Sequence, residues 1–182
     1  MNSAPYSSTR KEQLGERVFN FLITHIPSHT LRQGWLRFFG ATIGTGSSIM
    51  LGSTTFGLRR LVIGNNVSIG SSVLLDARGG LLIDDDVVIA SDVHIITADH
   101  DVDSDDFGVR LGPVHVGHHA WIASRATVLR DVEIGAGAVI GAASLVRRDV
   151  GEMEIAAGVP ATALGKRTSA LDYHPTFRPL LY

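Results

Sequence analysis

A period of six governs the middle of this chain. From Ile43, steps of six reach Ile49 and Thr55. A step of eight then leads to Ile63, Ile69 and Leu75, and a second one to Ile83, Ile89 and Ile95. After an interruption the period resumes at Val116 and runs unbroken through Ile122, Val128, Ile134, Ile140 and Val146. Fourteen of these fifteen positions are Ile, Leu or Val, Thr55 being the exception, so they are expected to share one apolar interior. Another small or aliphatic residue often sits two places earlier, as at Val67, Val73, Val87, Ala126, Val132, Ala138 and Ser144. Such an alternating inward pair makes a very short strand. Glycine often follows the step (Gly44, Gly64, Gly70, Gly117, Gly135, Gly141), which reads as a turn needing a small residue or a positive φ. A helix of period 3.6 cannot generate this pattern. A six-residue repeat predicts a parallel β-helix, with three strands forming a triangular coil of roughly 18 residues. Coils then stack about 4.8 Å apart, and the steps of eight are two-residue bulges at one corner.

Composition suits such a domain. The chain has 182 residues, 45% hydrophobic and 19% charged, enough apolar side chain for a real core. A net charge of −2 gives no general reason to bind polyanions, so no nucleic-acid partner is expected. The absence of cysteine excludes disulfides, thiolate zinc sites and a cysteine nucleophile. The stretch Met1 to Arg10 is polar and has no signal core. The apolar run Val18 to Ile26 is too short to span a bilayer. A cytoplasmic protein is expected.

Two flanking zones differ from the repeat. Over residues 1–40, Leu14, Val18, Phe19, Leu22 and Ile23 fall at helical spacing. Pro27 stops that helix, Ser28 or Thr30 caps a second one carrying Leu31, Trp35, Leu36 and Phe39, and Gly40 ends it. The favoured reading is a helical cap over the raw apolar end of the stack. The other is a peripheral membrane contact through Arg32, Trp35, Arg37 and Phe38. The β-helix is expected over residues 41–167, with a loop insertion at 96–115 and a break in the repeat at Gly158-Val159-Pro160-Ala161. Residues 168–182, with Tyr173, Phe177, Leu180, Leu181 and Tyr182, read as an arm packed on this subunit or a neighbour.

Four motifs occur in order: Leu75-Asp76-Ala77-Arg78-Gly79-Gly80, Thr97-Ala98-Asp99-His100-Asp101, Ala120-Trp121-Ile122-Ala123 and Ala157-Gly158-Val159-Pro160-Ala161. On these the chain resembles the hexapeptide-repeat acyltransferases. It is most similar to the branch of maltose and galactoside O-acetyltransferases, and especially to colanic-acid-type exopolysaccharide acetyltransferases. The resemblance implies an all-β, left-handed parallel β-helix and a homotrimer with active sites between subunits. It also implies acetyl-CoA as donor, a sugar or glycan as acceptor and no metal. The His-Pro-Val-His-His loop of the maltose and galactoside enzymes is absent here. That shifts the expected acceptor from free disaccharides to an exopolysaccharide or lipid-linked glycan precursor.

The interruption between Ile95 and Val116 is where a coil protein loops outward, and it carries His100. Moving an acyl group from a thioester to a sugar hydroxyl requires a base, because the hydroxyl is a poor nucleophile. An imidazole suits the task because histidine titrates near the operating pH. His100 matches the family's catalytic histidine, which acts by direct attack without an acyl-enzyme. The resemblance places the oxyanion donor at the backbone N–H of Ser124. Trp121 lies against the pantetheine arm or is a plain surface aromatic, and Ala142 meets the arm one coil later. Arg147, Arg148, Lys166 and Arg167 hold CoA phosphates or are merely solvated. Asp76 and Arg78 bind acceptor hydroxyls or pair with each other. Asp101 orients His100 or binds acceptor.

Other readings stand beside this one. His115, His118 and His119 suggest a zinc-dependent enzyme of the carbonic anhydrase type, although the spaced histidine pair of that family is missing. A non-catalytic glycan-binding scaffold would use the same coils. Within the transferases, a longer acyl donor or an amine acceptor is open. The run Asp101, Asp103, Asp105 begins like a calcium loop but lacks the glycine at its sixth position and the glutamate at its twelfth. His25, His29, His94 and His174 read as structural or solvated.

Overall fold

The computed structural model describes residues 8–180. The polar start through residue 7 and the terminal Leu181 and Tyr182 lie outside the described residues. The fifteen periodic positions stack in three columns. Ile43, Ile63, Ile83, Val116 and Ile134 pair in one parallel sheet. Ile49, Ile69, Ile89, Ile122 and Ile140 pair in the second. Thr55, Leu75, Ile95, Val128 and Val146 pair in the third. None is more than 7% exposed, so the columns are the core. The fold is a parallel β-helix. Its early coils are longer because the chain bulges at the corner leading out of the third sheet, where Leu58–Arg60 forms a 3-10 turn. The second sheet ends in an antiparallel hairpin, Glu154–Gly158 with Ala161–Lys166, whose turn is the break expected at residues 158–161.

The glycines after each step answer to the first of the two expected needs, a small residue, and not to the second. Their φ values are not positive. The left-handed corner residues lie two places further on, at Asn66, Asp86 and His119 among others. Gly70 shows what the glycine does. A Cβ there would sit 2.5 Å from the backbone nitrogen of Ser91 in the next coil. Close approach of stacked coils, and not turn geometry, demands glycine at this position.

The helical cap is present, but it seats only part of its apolar pattern on the core, with Ile23, Trp35 and Phe39 packed beside Phe19 and Leu36. Helix α1 spans Arg10–Phe21 with Thr9 as N-cap, and α2 spans His29–Phe38 with Ser28 as N-cap. Phe19 and Leu36 are buried against the first coil, yet Leu14, Leu22 and Leu31 are exposed. The inward faces are largely polar. The first coil is an open edge of unpaired peptide groups, which are costly to bury without partners. Cap side chains supply those partners. Asn20 donates from Nδ2 to the Thr55 carbonyl and accepts from the Thr55 N–H through Oδ1, each at 2.9 Å. Glu16 accepts from the Gly57 N–H at 2.7 Å, and Glu12 from the Arg59 N–H at 3.2 Å. Thr24 donates to the Ser53 carbonyl and Gln33 to that of Ser47. Arg32 is fully buried and donates to the carbonyls of Ile49 and Ile26. Arg32 therefore cannot reach a membrane, which corrects that part of the expectation.

Candidate active site

The insertion folds as a β-hairpin, Ala98–His100 against Val109–Leu111. Its tip closes on itself. The Ser104 hydroxyl donates to Asp106 at 2.8 Å, and the Gly108 N–H donates to the same carboxylate at 3.1 Å. These bonds hold the Asp106 carboxyl below its ordinary range. The acidic run thus builds a turn. Asp99 anchors the hairpin. Arg110 grips it with two bonds of 3.0 and 3.2 Å. Arg130, from the coil above, brings Nε to 2.8 Å, a charge contact and not an aligned hydrogen bond. Burial alone would raise the Asp99 carboxyl, but the two arginines outweigh it and hold the group below the usual carboxylate range.

His100 is exposed on the hairpin. Its Nδ1 lies 2.8 Å from the Phe107 carbonyl oxygen. A carbonyl only accepts, so in this contact the neutral ring carries its proton on Nδ1 and leaves the Nε2 lone pair outward. The Phe107 ring stacks on the imidazole at 4.4 Å with 8° between planes. Phe107 itself adopts a left-handed φ of 48°, which turns its carbonyl back toward the histidine. Asp101 does not orient His100. Its carboxylate accepts from the Asp103 N–H at 3.2 Å and sits 3.9 Å from Arg110. The orienting group is Phe107, which the sequence reading missed. No motif marks a backbone carbonyl seven residues away.

The donor-side residues lie at a different corner. Trp121 opens a strand of the second sheet and is 46% exposed. Ser124 follows at the corner between the second and third sheets. Among the described residues no group accepts from its N–H, while its carbonyl accepts from the Ala143 N–H at 2.9 Å. Ala142 is exposed directly above. Ser71, Ser91 and Ser124 line a cleft of about 420 Å³ whose far wall is Phe177 and Pro179 of the C-terminal tail. That tail was given no function in the sequence. The structure lays it along the second sheet, with His174 Nδ1 2.8 Å from Asp86 and His29 Nε2 3.3 Å from the Pro179 carbonyl. Ser124 enters the third sheet and Ile95 leaves it toward His100. Within one chain the two are therefore separated by a six-residue side of the coil, roughly 20 Å at strand rise.

Several expected ligands are engaged otherwise. The Asp76 side chain is 2% exposed, paired through both oxygens with Arg78 at 2.9 Å, and accepts from the Thr97 N–H. Of the two readings of Asp76 and Arg78, the mutual pair is the one the structure shows, and a buried carboxylate cannot itself meet an acceptor. Arg167 donates to the carbonyls of His119 and Gly137 and to the Tyr173 hydroxyl, so it fastens the tail and does not wait for a phosphate. Lys166 donates to the Glu152 carbonyl. Arg147 and Arg148 are exposed and carry no ion pair among the described residues.

The histidine cluster does not converge as the zinc reading requires. His115 pairs with Asp84 at 2.9 Å and approaches Glu133, on another column of the coil. His119 instead lies near Asp86 and His174, three groups whose ligand atoms fall within 4.8 Å of one another. Within this group His174 Nδ1 bonds Asp86 at 2.8 Å, while His119 Nε2 bonds the Tyr173 carbonyl at 2.9 Å. A cleft of about 440 Å³ lies over Asp84, His115 and Glu133 and contains neither His100 nor Ser124.

Comparison with known proteins agrees with this fold. Residues 113–148 match the family model of bacterial transferase hexapeptide repeats. WcaF of Escherichia coli K12, named as an acetyltransferase of colanic acid biosynthesis, is 30% identical over 132 residues, 72% of each chain. WbbJ of the same organism, named as an O-acetyl transferase of lipopolysaccharide biosynthesis, is 28% identical over 86% of this chain and 85% of its own. A hexapeptide-repeat acetyltransferase of Vibrio cholerae, crystallised with acetyl-CoA, superposes with a TM-score of 0.77 over 87% of this chain and 86% of its own, at 20% identity. A parallel β-helix interrupted by a histidine-bearing hairpin is the frame of an acyltransferase. The chain belongs to the hexapeptide-repeat acetyltransferases.

Proposed function

We propose that this enzyme transfers an acetyl group from acetyl-CoA to a hydroxyl of an exopolysaccharide or lipid-linked glycan precursor, with His100 as general base. The observation that carries the reading is the fixed tautomer of His100, which presents a basic nitrogen on the hairpin that interrupts the coil. Nε2 takes the hydroxyl proton as the oxygen attacks the thioester carbonyl. The resulting oxyanion accepts from the backbone N–H of Ser124. Collapse expels the CoA thiolate, which receives the proton from Nε2. The separation of His100 and Ser124 within one chain supports a site shared between neighbouring subunits of a homotrimer. Trp121 and Ala142 would flank the pantetheine arm, and Arg147 and Arg148 would meet the CoA phosphates. Arg78, held by Asp76 and partly exposed, would be available to acceptor hydroxyls. The names of the colanic acid and lipopolysaccharide relatives support a glycan acceptor, and acetyl-CoA as donor supports a cytoplasmic reaction. No described helix is long and apolar enough to cross a membrane.

The test is thiol release from acetyl-CoA across a panel of sugars and glycan precursors. His100→Ala is expected to lose about 10²–10⁴-fold in turnover while CoA binding persists. Full turnover in that variant overturns the assignment of the base.

A further inference from the structure

Because the cap turns its polar side chains inward, its outer surface is unusual. In α1, Arg10, Leu14, Arg17 and Phe21 recur at i, i+4, i+7 and i+11 and form one stripe. All four are exposed, Phe21 at 86%. In α2, Leu31 and Phe38 are 58% and 68% exposed on one side, beside the half-buried Trp35, whose Nε1 donates to the Gly15 carbonyl. Next to the first stripe, the Lys11 ammonium sits 4.7 Å over the Phe38 ring. Charge on this surface is one-sided. Among residues 8–40 the acids are Glu12 and Glu16, and both are buried against the first coil. The exposed charges are Arg10, Lys11, Arg17 and Arg37. At the edge a cleft of about 400 Å³ opens between Lys11, Phe38, Phe39 and Arg59.

We infer that the cap docks on an anionic lipid surface. Exposed aromatic and leucine side chains interleaved with cations, and no exposed carboxylate, are what a helix lying in the headgroup layer requires. The apolar side chains enter the acyl boundary while the cations meet lipid phosphates, which are negative on the cytoplasmic leaflet. Arg32 of α2, buried against the first coil, takes no part. Docking of this kind is independent of which acceptor the enzyme uses.

Flotation of the full chain with vesicles tests the inference. Binding is expected to phosphatidylcholine mixed with an equal amount of phosphatidylglycerol, and not to phosphatidylcholine alone. The double variant Phe21→Ser, Phe38→Ser is expected to lose about tenfold or more in partitioning. Arg10→Gln with Arg17→Gln is expected to lose about fivefold per charge. Both variants change only exposed side chains and should keep the melting temperature and the thiol-release activity on a soluble acceptor. Absence of binding to the mixed vesicles, or binding that survives both variants, overturns the inference. So does a change of oligomeric mass in the double serine variant, which would assign the face to a second copy of the chain.

Discussion

His100 and Phe107 lie face to face, and the backbone carbonyl of one holds the ring nitrogen of the other at 2.8 Å. The stack fixes the plane of the imidazole and the carbonyl fixes its tautomer. Phe107→Ala keeps the carbonyl and removes the stack. The expected outcome is a fall in kcat of about tenfold with little change in KM for acetyl-CoA, because a misaimed base costs rate and not donor binding. Steady-state kinetics separates the two.

Asp99 holds the same hairpin from its base. Its carboxyl is depressed on balance, since Arg110 and Arg130 outweigh burial. The sign follows from linkage: the group contributes stability above its unfolded value, and that contribution is lost as pH falls through the lower folded value. The hairpin amides from Ala98 to Leu111 should therefore lose hydrogen-exchange protection below about pH 4, before the core does. Asp99→Asn should show the loosened state at neutral pH. Unchanged protection in that variant would remove Asp99 from the role.

His29 links cap and tail. Burial lowers its pKa first, and the neighbouring Arg32 charge lowers it further. A depressed histidine favours folding while neutral, so its contribution is complete above the unfolded value of about 6.5 and is lost as pH falls through the folded one. Protonation should break the bond that Nδ1 accepts from Arg32 Nη2 at 3.2 Å, while Nε2–H goes on donating to the Pro179 carbonyl. An NMR titration following the His29 ring and the Arg32 guanidinium should show both changes in one transition, and an Arg32 signal that does not move with the ring would disconnect them.

Thr55 occupies an inward column among Leu75, Ile95, Val128 and Val146. Its hydroxyl is buried with no hydrogen-bond partner. Thr55→Val keeps the shape and the backbone bonds to Asn20, so it is expected to stabilise the fold by about 1 kcal/mol. Gly70→Ala has the opposite sign. A methyl 2.5 Å from the next coil forces the stack apart, at a cost of about 1–3 kcal/mol. Denaturant midpoints measure both.

The columns were legible because each inward residue obeys one local rule, a repeat of six, and the rule survives the bulges. The cap was legible as two helices with Ser28 between them, but its orientation was not. Apolar spacing locates a stripe without saying what the stripe faces, and the open edge of the first coil attracts Asn20, Glu16 and Arg32 more strongly than it attracts Leu14. His100 was visible through its motif and its place in the interruption. Phe107 and Arg130 were not, because their roles depend on a backbone carbonyl and on the register of a coil one turn away. Asp76 illustrates a further limit of motifs: a residue can belong to a family signature and still act by holding its neighbour.

Ile83 pairs with Val116 in the same parallel register as Ile63 pairs with Ile83, although the whole hairpin intervenes between the first two. The corner that carries the hairpin therefore adds length without disturbing the register on either side. The stack works as a fixed rack with one exchangeable slot. Substitutions or length changes between residues 101 and 108 can alter what approaches His100 while the groove beside Ser124 keeps its shape. With the proposed roles of His100 and Ser124, acceptor preference and donor binding would then vary separately within a single small chain.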